Sequence, residues 1–387
     1  MGETRNDKLY LGYLASSHFI IHVYTMLLPV LLLPFQDELG ISLVQLSLLA
    51  SIPRLLNVFI YTPTGVISDK YPSEKLTMSF FITVGGAVLI PLSNGFYPLL
   101  AGFILLSVGS TLYHPPSLKM ASNFDPSKMS LAMGIHNIGS SIGFAVGPLV
   151  LGLFMVQTGW RYSFYIWAVL TVLMGVVTMR YTSKTLKRGE DHQISFLHGL
   201  RSILTRGFLI VVAMSTLIEA IFSVLVTYVP AYFTTEIGLS YSLTSIISGL
   251  GPLTGIVGSV FGGYLGDRYG RYKVGMLVNI VLAGFLIIFP SMKTLLTVAV
   301  IYALYRCLQA AFMPLLNSMI ASHSDMENRS LAYSFNFVMV NLVGSIATTG
   351  ASVLIEDYST RVIFPLSIAA LVPVVLLIWV LSRYQKN

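Results

Sequence analysis

Apolar runs of more than 18 residues recur from one end of this sequence to the other, and they limit its fold more than any other feature. A run of that length, wound at 1.5 Å per residue, crosses the roughly 30 Å hydrocarbon core of a bilayer as a single helix. Twelve such spans are expected, at about 9–36, 43–68, 74–93, 96–120, 129–156, 160–182, 206–234, 240–266, 272–291, 294–321, 330–355 and 359–382. The charged fraction is only 10%, where soluble domains carry about a quarter. The expected fold class is therefore all-α, a polytopic membrane protein.

Residues Met1–Lys8 are polar and lead straight into the first run, which is too long for a signal-peptide core and is expected to remain as the first helix. The one long polar connection, 183–205, separates six spans from six. The expected organisation is a bundle over 1–182, a central cytoplasmic loop over 183–205 and a second bundle over 206–387. With the N-terminus inside, 18 of the 23 Lys and Arg residues fall in or beside cytoplasmic segments, so both termini are expected there. The net charge of +7 then reads as a topology signal, with contact to anionic lipid and no nucleic-acid partner. A single cysteine, Cys307, excludes an intrachain disulfide and any multi-cysteine metal site.

The two halves share strings. Gly65-Val-Ile-Ser-Asp69-Lys70 returns as Gly263-Tyr-Leu-Gly-Asp267-Arg268, an offset of 267 − 69 = 198, and Arg271 and Lys273 follow the second copy. Asp125-Pro-Ser-Lys128-Met-Ser130-Leu131-Ala132 returns as Asp325-Met-Glu-Asn-Arg329-Ser330-Leu331-Ala332. Repeated halves are a common plan of membrane carriers. In both Gly–Asp–basic strings the Gly allows close helix packing, the Asp suits a facing helix N-terminus, and the basic residue suits acidic groups across the turn. Such a set latches one face of a carrier. One copy alone reads equally well as a charged loop that sets topology.

On these strings, the spans and the central loop, the chain resembles the major facilitator superfamily, whose loop motif is G-x-L-x-D-R/K-x-G-R/K-x-R/K. The second copy is the better match, and the first has Pro72 in place of a Gly. The resemblance implies two pseudo-symmetric six-helix bundles. A finer resemblance, to the fosmidomycin-resistance group of exporters, rests on Ser17-His18-Phe-Ile-Ile-His22, Leu28-Pro29-Val-Leu-Leu-Leu-Pro34, Glu38-Leu-Gly-Ile-Ser42 and Leu112-Tyr113-His114-Pro115-Pro116. Gly143-Phe-Ala-Val-Gly147-Pro148 is similar to the antiporter motif of family drug exporters, with Leu151 in place of one closing Gly. Physically, Gly at i and i+4 flattens a helix face and Pro148 bends it. Ordinary small-residue packing is the alternative.

Ionisable groups at mid-bilayer are functional candidates. Glu219 is the only acid in the middle of a span. A carboxylate deprived of hydration takes up a proton more readily, so Glu219 is the expected proton-coupling group, with His18 and His22 on one face of the first span beside it in that role. The alternative for Glu219 is a single structural hydrogen bond. Arg54 and Arg306 stay charged and need an acceptor, water or an anionic ligand. Arg306 is a candidate partner of Glu219, and both arginines are candidate substrate contacts together with His114, Tyr24 and Tyr228. Metal binding is set aside because no Cys or Asp lies near the histidines. Pro115-Pro116 is expected to break or kink the fourth span. His136, Asn137, Asn336 and Asn341 are read as interhelical hydrogen-bonding groups.

The leading functional reading is a proton-coupled drug or small-molecule exporter working by alternating access as a monomer, driven by the proton gradient without a cofactor. Two mid-membrane arginines against one glutamate favour an anionic or amphipathic substrate. The alternative is a proton symporter importing a small organic anion. A membrane-embedded enzyme is disfavoured, since the sequence holds no P-loop, no Gly-x-Ser-x-Gly and no His–Glu pair at metal spacing. A compact chain without a targeting sequence suggests a prokaryotic plasma (inner) membrane.

Overall fold

A computed structural model describes the backbone of residues 7–70, 72–122, 129–185, 203–323 and 329–384. Within that backbone, the side chains of 7, 61–70, 72, 73, 115, 118, 119, 122, 129–134, 183–185, 321, 329–331, 333, 334 and 384 lie outside the description. Gly65, Asp69 and Lys70 are thus placed only as helical backbone, and most of the Asp125 and Asp325 strings and of the central loop lie outside the described residues.

The described elements are helices: α1 (Asp7–His22), α2 (Leu27–Leu39), α3 (Leu43–Lys70), α4 (Pro72–Leu89), α5 (Phe96–Ser122), α6 (Met129–Gln157), α7 (Arg161–Thr185), α8 (Arg206–Thr235), α9 (Tyr241–Tyr269), α10 (Arg271–Ile288), α11 (Leu295–Ser322), α12 (Arg329–Asp357) and α13 (Ile363–Tyr384). Eleven stretches among the described residues are long and apolar enough to cross a membrane, the first running from Lys8 to Leu39 through α1 and α2. The expected third span is the 18-residue α4.

The expected first span is one run in the sequence but two helices in the structure. At the join, Thr25 N–H donates to His22 O (3.2 Å) and Leu27 N–H to Tyr24 O (3.2 Å), tight i→i+3 bonds in place of the helical ladder. Pro29, in the first turn of α2, lacks an N–H that would be unmatched there in any case. The fourth expected span behaves in the opposite way. Helix α5 continues through Pro115-Pro116, so of the expected break or kink there is no break. Membrane helices tolerate proline where surrounding protein covers the freed backbone; beside the pair, His114 Nδ1 donates to Ser110 O (2.6 Å) and Ser117 Oγ donates to His114 O (3.0 Å).

The molecule divides into two compact units. Unit 1 is Met1–His192 with Tyr241–Gly249, and unit 2 is Gln193–Ser240 with Leu250–Asn387. The first turns of α9 thus group with unit 1, where Ser245 Oγ donates to Pro148 O (2.7 Å) and Ser242 Oγ to Gly152 O (2.7 Å).

Unit 1 is held by α4 against α5 and α7, and by α1 against α6. Its core includes Tyr10, Tyr13, Leu14, Phe80, Tyr113 and Met174. The hydroxyls of its three tyrosines are matched: Tyr10 donates to Met120 O (2.6 Å), Tyr13 to Thr178 Oγ1 (3.2 Å), and Tyr113 shares a hydrogen with Ser17 Oγ (2.7 Å). Helix α7 exposes Tyr162, Ile166, Val169, Leu173 and Val177 along one side, a stripe that suits lipid rather than water.

Unit 2 packs α8 against α12 and α13, and α10 against α11 and α13. An aromatic cluster of Tyr232, Phe233, Phe289, Tyr302 and Phe364 fills one end, with Phe233 and Phe289 stacked at 6.1 Å. Helix α9 lies so close to α11 that a Cβ on Gly262 would fall 2.0 Å from Ala311 O, and one on Gly258 1.9 Å from Cys307 O. Gly263, the motif glycine, has room: its nearest neighbour is Pro314 Cβ at 3.9 Å. The close approach expected of the motif is therefore made one residue earlier.

Each unit also carries an ion pair at the end of its first span. Glu38 pairs with Arg161 in unit 1 and Glu236 with Arg361 (2.7 Å) in unit 2. The offsets are 236 − 38 = 198 and 361 − 161 = 200, matching that of the repeated strings. The unit 1 pair has more support. Trp160 Nε1 donates to Glu38 Oε2 (2.6 Å), Arg161 Nε donates to Pro91 O (3.0 Å), and its guanidinium lies 4.4 Å from the Trp160 ring centre.

Two outcomes are expected from thermal unfolding in detergent. Arg361→Ala removes a pair whose arginine is exposed and costs about 1 kcal/mol, whereas Arg161→Ala also strands Pro91 O and Trp160 and lowers Tm further; equal shifts would assign the effect to charge alone. Gly262→Ala forces α9 from α11 and costs about 1–3 kcal/mol, while Gly263→Ala is neutral or gains up to about 1 kcal/mol of helix propensity. Equal loss in both would contradict the packing described.

Candidate functional site

Three glycines spaced by four build the site in unit 1. A Cβ on Gly139 would lie 2.2 Å from Ala15 O, one on Gly143 2.6 Å from Phe19 O, and one on Gly147 2.0 Å from Val23 O. Bare backbone at these three positions lets α6 lie directly on α1. The stripe contains the antiporter-like Gly143 and Gly147 and extends them by Gly139. Pro148 sits inside α6, which continues through it.

That contact brings four histidines together. His18 and His22 lie one turn apart on α1, His114 comes from α5 and His136 from α6. His22 Nε2 lies 3.0 Å from His18 Nε2 and 3.1 Å from His114 Nε2. His18 Nδ1 donates to His136 O (2.7 Å), His114 Nδ1 donates to Ser110 O (2.6 Å), and His22 Nδ1 meets Thr25 Oγ1 (3.2 Å). The carbonyl partners assign the protons of His18 and His114 to Nδ1 and leave a lone pair on each Nε2. The His136 ring stacks on His18 at 3.7 Å between centres. Its place beside His18, and Gly139, are what sequence reasoning missed. The four-residue spacing of Gly139, Gly143 and Gly147, with His136 three residues before the first of them, was the signal available.

The other candidates are placed as follows. Arg54 is half-buried on α3, where Asn57 Oδ1, almost one turn on, accepts from Ser107 Oγ (3.1 Å) and Thr111 Oγ1 (2.7 Å) of α5. Tyr24 and Tyr228 are buried with committed hydroxyls: Tyr24 bonds to Thr171 Oγ1 (2.7 Å), and Tyr228 donates to Thr348 O (2.9 Å).

In unit 2, Glu219 is half-buried on α8. One turn before it, Ser215 Oγ donates to Asn336 Oδ1 of α12, and one turn after it Ser223 Oγ donates to Gly344 O (3.2 Å). Arg306, on α11, donates from Nη1 to Gln309 Oε1 (2.8 Å), along its own helix, where the sequence pointed across to Glu219. In the second Gly–Asp–basic copy, Asp267 and Arg268 are exposed and Arg268 Nη1 donates to Tyr264 Oη (2.7 Å). Arg271 Nη1 donates to Ser318 O (2.8 Å) near the C-terminal end of α11, where a cation is favoured. Gly270, between α9 and α10, has φ +92, which only glycine adopts without strain.

Comparison with known proteins agrees with this architecture. The Major Facilitator Superfamily profile matches residues 14–348 and 222–387. The chain is 25% identical over 292 residues to the fosmidomycin resistance protein of Escherichia coli (strain K12), covering 72% of this chain and 70% of that protein. It is 24% identical over 285 residues to the probable nitrate/nitrite antiporter NarK1 of Thermus thermophilus (70% of this chain, 64% of the relative). It is 27% identical over 254 residues to the hexuronate transporter of Bacillus subtilis (strain 168) (60% and 58%). The match therefore spans less than two thirds of the latter two proteins. Among solved structures, a bacterial homolog of the human lysosomal transporter Spinster, inward-facing and unoccupied, superposes with a TM-score of 0.81 at 14% identity, over 99% of this chain and 98% of that one. The nucleoside transporter NupG gives 0.79 at 16% identity, over 97% and 100%. At such identities the structures speak for the fold alone. The chain belongs to the Major Facilitator Superfamily: it is a multi-pass integral membrane transporter that binds small-molecule substrates, and it is not an enzyme.

Proposed function

We propose that this transporter is a proton-coupled exporter of small anionic or amphipathic molecules. The observation that carries the reading is the charge pattern inside the spans: one acid, Glu219, against two permanent cations, Arg54 and Arg306. A carboxylate on a membrane helix can be neutral or charged at modest cost, whereas a guanidinium is always charged. Glu219 is then the proton carrier, and the arginines attract the substrate's negative group. Arg306 has Gln309 as its neutral partner, which leaves its charge uncompensated at that contact. Coupling in this reading rests first on Glu219, with His18 and His22 of unit 1 as further proton-coupling candidates.

Export is supported by the relative whose name records fosmidomycin resistance. A second reading, uptake of a small organic anion by proton symport, has its own support in the relative named as a hexuronate transporter. Both readings use the same residues and differ in the sign of flux. The bundles 1–182 and 206–387, joined by the loop 183–205, alternate access while Gly65, Asp69, Lys70, Gly263, Asp267, Arg268 and Arg271 latch the cytoplasmic face. The protein works as a monomer in the inner membrane, with both termini cytoplasmic and its basic loops against anionic lipid.

The test is reconstitution in liposomes under an imposed pH gradient, with a dye reporting internal pH. A panel of phosphonates, carboxylates and cationic compounds is added in turn. An anionic compound is expected to dissipate the gradient, and Glu219→Gln to lower that flux about tenfold or more, equivalent to about 1.4 kcal/mol in the barrier to transport. Unchanged flux in a folded Glu219→Gln protein would remove Glu219 from the coupling. Flux with cationic compounds alone would overturn the charge argument, and the direction of flux separates export from uptake.

A further inference from the structure

We propose that His18, His22 and His114 form a binding site for a divalent transition-metal ion of the zinc type. The three ligand nitrogens lie within 4.8 Å of one another, and two of the separations, His22 Nε2 to His18 Nε2 and to His114 Nε2, are 3.0 and 3.1 Å. Three ring nitrogens cannot converge with three lone pairs, so an electrophile must lie among them. With His18 and His114 carrying their protons on Nδ1, that electrophile is either one proton on His22 Nε2, shared between two acceptors, or a metal ion.

The arrangement suits the ion in four ways. First, a metal-binding histidine usually donates its other ring N–H to a carbonyl or carboxylate, which fixes its tautomer and orientation, and His18 and His114 do so to His136 O and Ser110 O. Second, the partner of the remaining ring accommodates the change. When metal takes His22 Nε2, the proton there moves to Nδ1, where Thr25 Oγ1 accepts it at 3.2 Å, and no proton is lost from the site. Third, His22 closes α1, and the negative end of a helix favours a cation. Fourth, bonds of about 2.0–2.1 Å in a tetrahedron put ligand nitrogens about 3.3–3.4 Å apart, so the two short separations need to open by only a few tenths of an ångström, and the third pair, His18 and His114, already lies within 4.8 Å.

The donor set narrows the ion. Two histidines at i and i+4 with a third from a neighbouring helix give three imidazoles and an open fourth position, as in zinc sites that keep a water or substrate. Imidazole suits zinc, copper, nickel and cobalt, while calcium and magnesium require oxygen. His114 is half-buried and Thr25 exposed, so the cluster has a side open to its surroundings. The sequence set metal aside for want of Cys or Asp near His18 and His22; the third ligand comes instead from a helix 92 residues away.

The test uses the full chain in detergent, purified with a tag free of histidine. Titration with Zn(II) by calorimetry is expected to show one saturable site, and Co(II) to give the visible d–d bands of a four- or five-coordinate nitrogen site. H22Q and H114Q should each weaken Zn(II) by about a hundredfold, the upper end of the loss seen when even an outer partner of a ligand is removed. H323Q, and H192Q with H198Q, should leave binding unchanged. H114C keeps a ligand and should add a thiolate charge-transfer band with Co(II), a readout that stands even if H22Q fails to fold. The proposal is overturned by equal Zn(II) affinity in folded H114Q, or by a wild-type Co(II) spectrum of the octahedral, water-like kind. Neither result bears on proton coupling through Glu219.

Discussion

The contact of α6 with α1 fixes the geometry on which the rest of unit 1 depends. Gly139, Gly143 and Gly147 present bare backbone to the carbonyls of Ala15, Phe19 and Val23. Membrane helices gain little from apolar burial against one another, since lipid is as apolar as leucine, so close packing and interhelical hydrogen bonds must supply the association. Here one contact provides both. The proximity that the glycines allow brings His136 O to 2.7 Å from His18 Nδ1 and stacks the two rings. A side chain at any of the three positions would meet the backbone of Ala15, Phe19 or Val23 and push α6 away from the segment that carries His18 and His22. The glycine stripe that resembles an antiporter motif is, in this structure, the positioning element of a polar site.

The internal repeat has a physical counterpart in the two ion pairs. Glu38 with Arg161 and Glu236 with Arg361 close corresponding ends of the two units, and the loop motifs repeat at the same offset. The interiors have diverged. Unit 1 places neutral rings and hydroxyls around its first span, while unit 2 places Glu219 and Arg306 on α8 and α11. A duplicated frame that keeps its end staples and changes its interior polar groups can give its halves different chemistry without changing how either one packs.

Much of the fold was legible in the sequence because membrane insertion writes itself into long apolar runs. The expected boundaries of span seven, 206–234, and of α8, Arg206–Thr235, agree to within a residue. What escaped depended on local hydrogen bonding or on contacts distant in sequence. The break between α1 and α2 lies inside an unbroken apolar run, and only the i→i+3 bonds at Thr25 and Leu27 reveal it. The double proline of α5 looked like a break, yet the helix runs through it. The glycine that matters for packing α9 on α11 is Gly262 rather than the motif residue Gly263, a difference of one position and about 100° around a helix of 3.6 residues per turn. The hydroxyl partners of Tyr24 and Tyr228, Thr171 and Thr348, are likewise contacts distant in sequence.

The histidine cluster shows why residue type alone under-determines a polar site in a membrane. Each ring was an isolated candidate in the sequence, and isolated histidines suggest proton exchange. Together they constrain one another. The carbonyls of His136 and Ser110 hold the His18 and His114 protons on Nδ1, and this leaves one place among the Nε2 atoms for one electrophile. Such a site chooses between a proton and a metal ion according to what is present, without altering its outer hydrogen bonds. Glu219 is placed differently. It sits between two hydroxyl-to-α12 contacts made by Ser215 and Ser223, one turn to either side on α8. A carboxylate fixed on its helix by such flanking ties can gain and lose charge while the backbone around it stays in place. On the proposed reading, electrophile binding belongs to one unit and charge change at Glu219 to the other, and substitutions in each are measured separately.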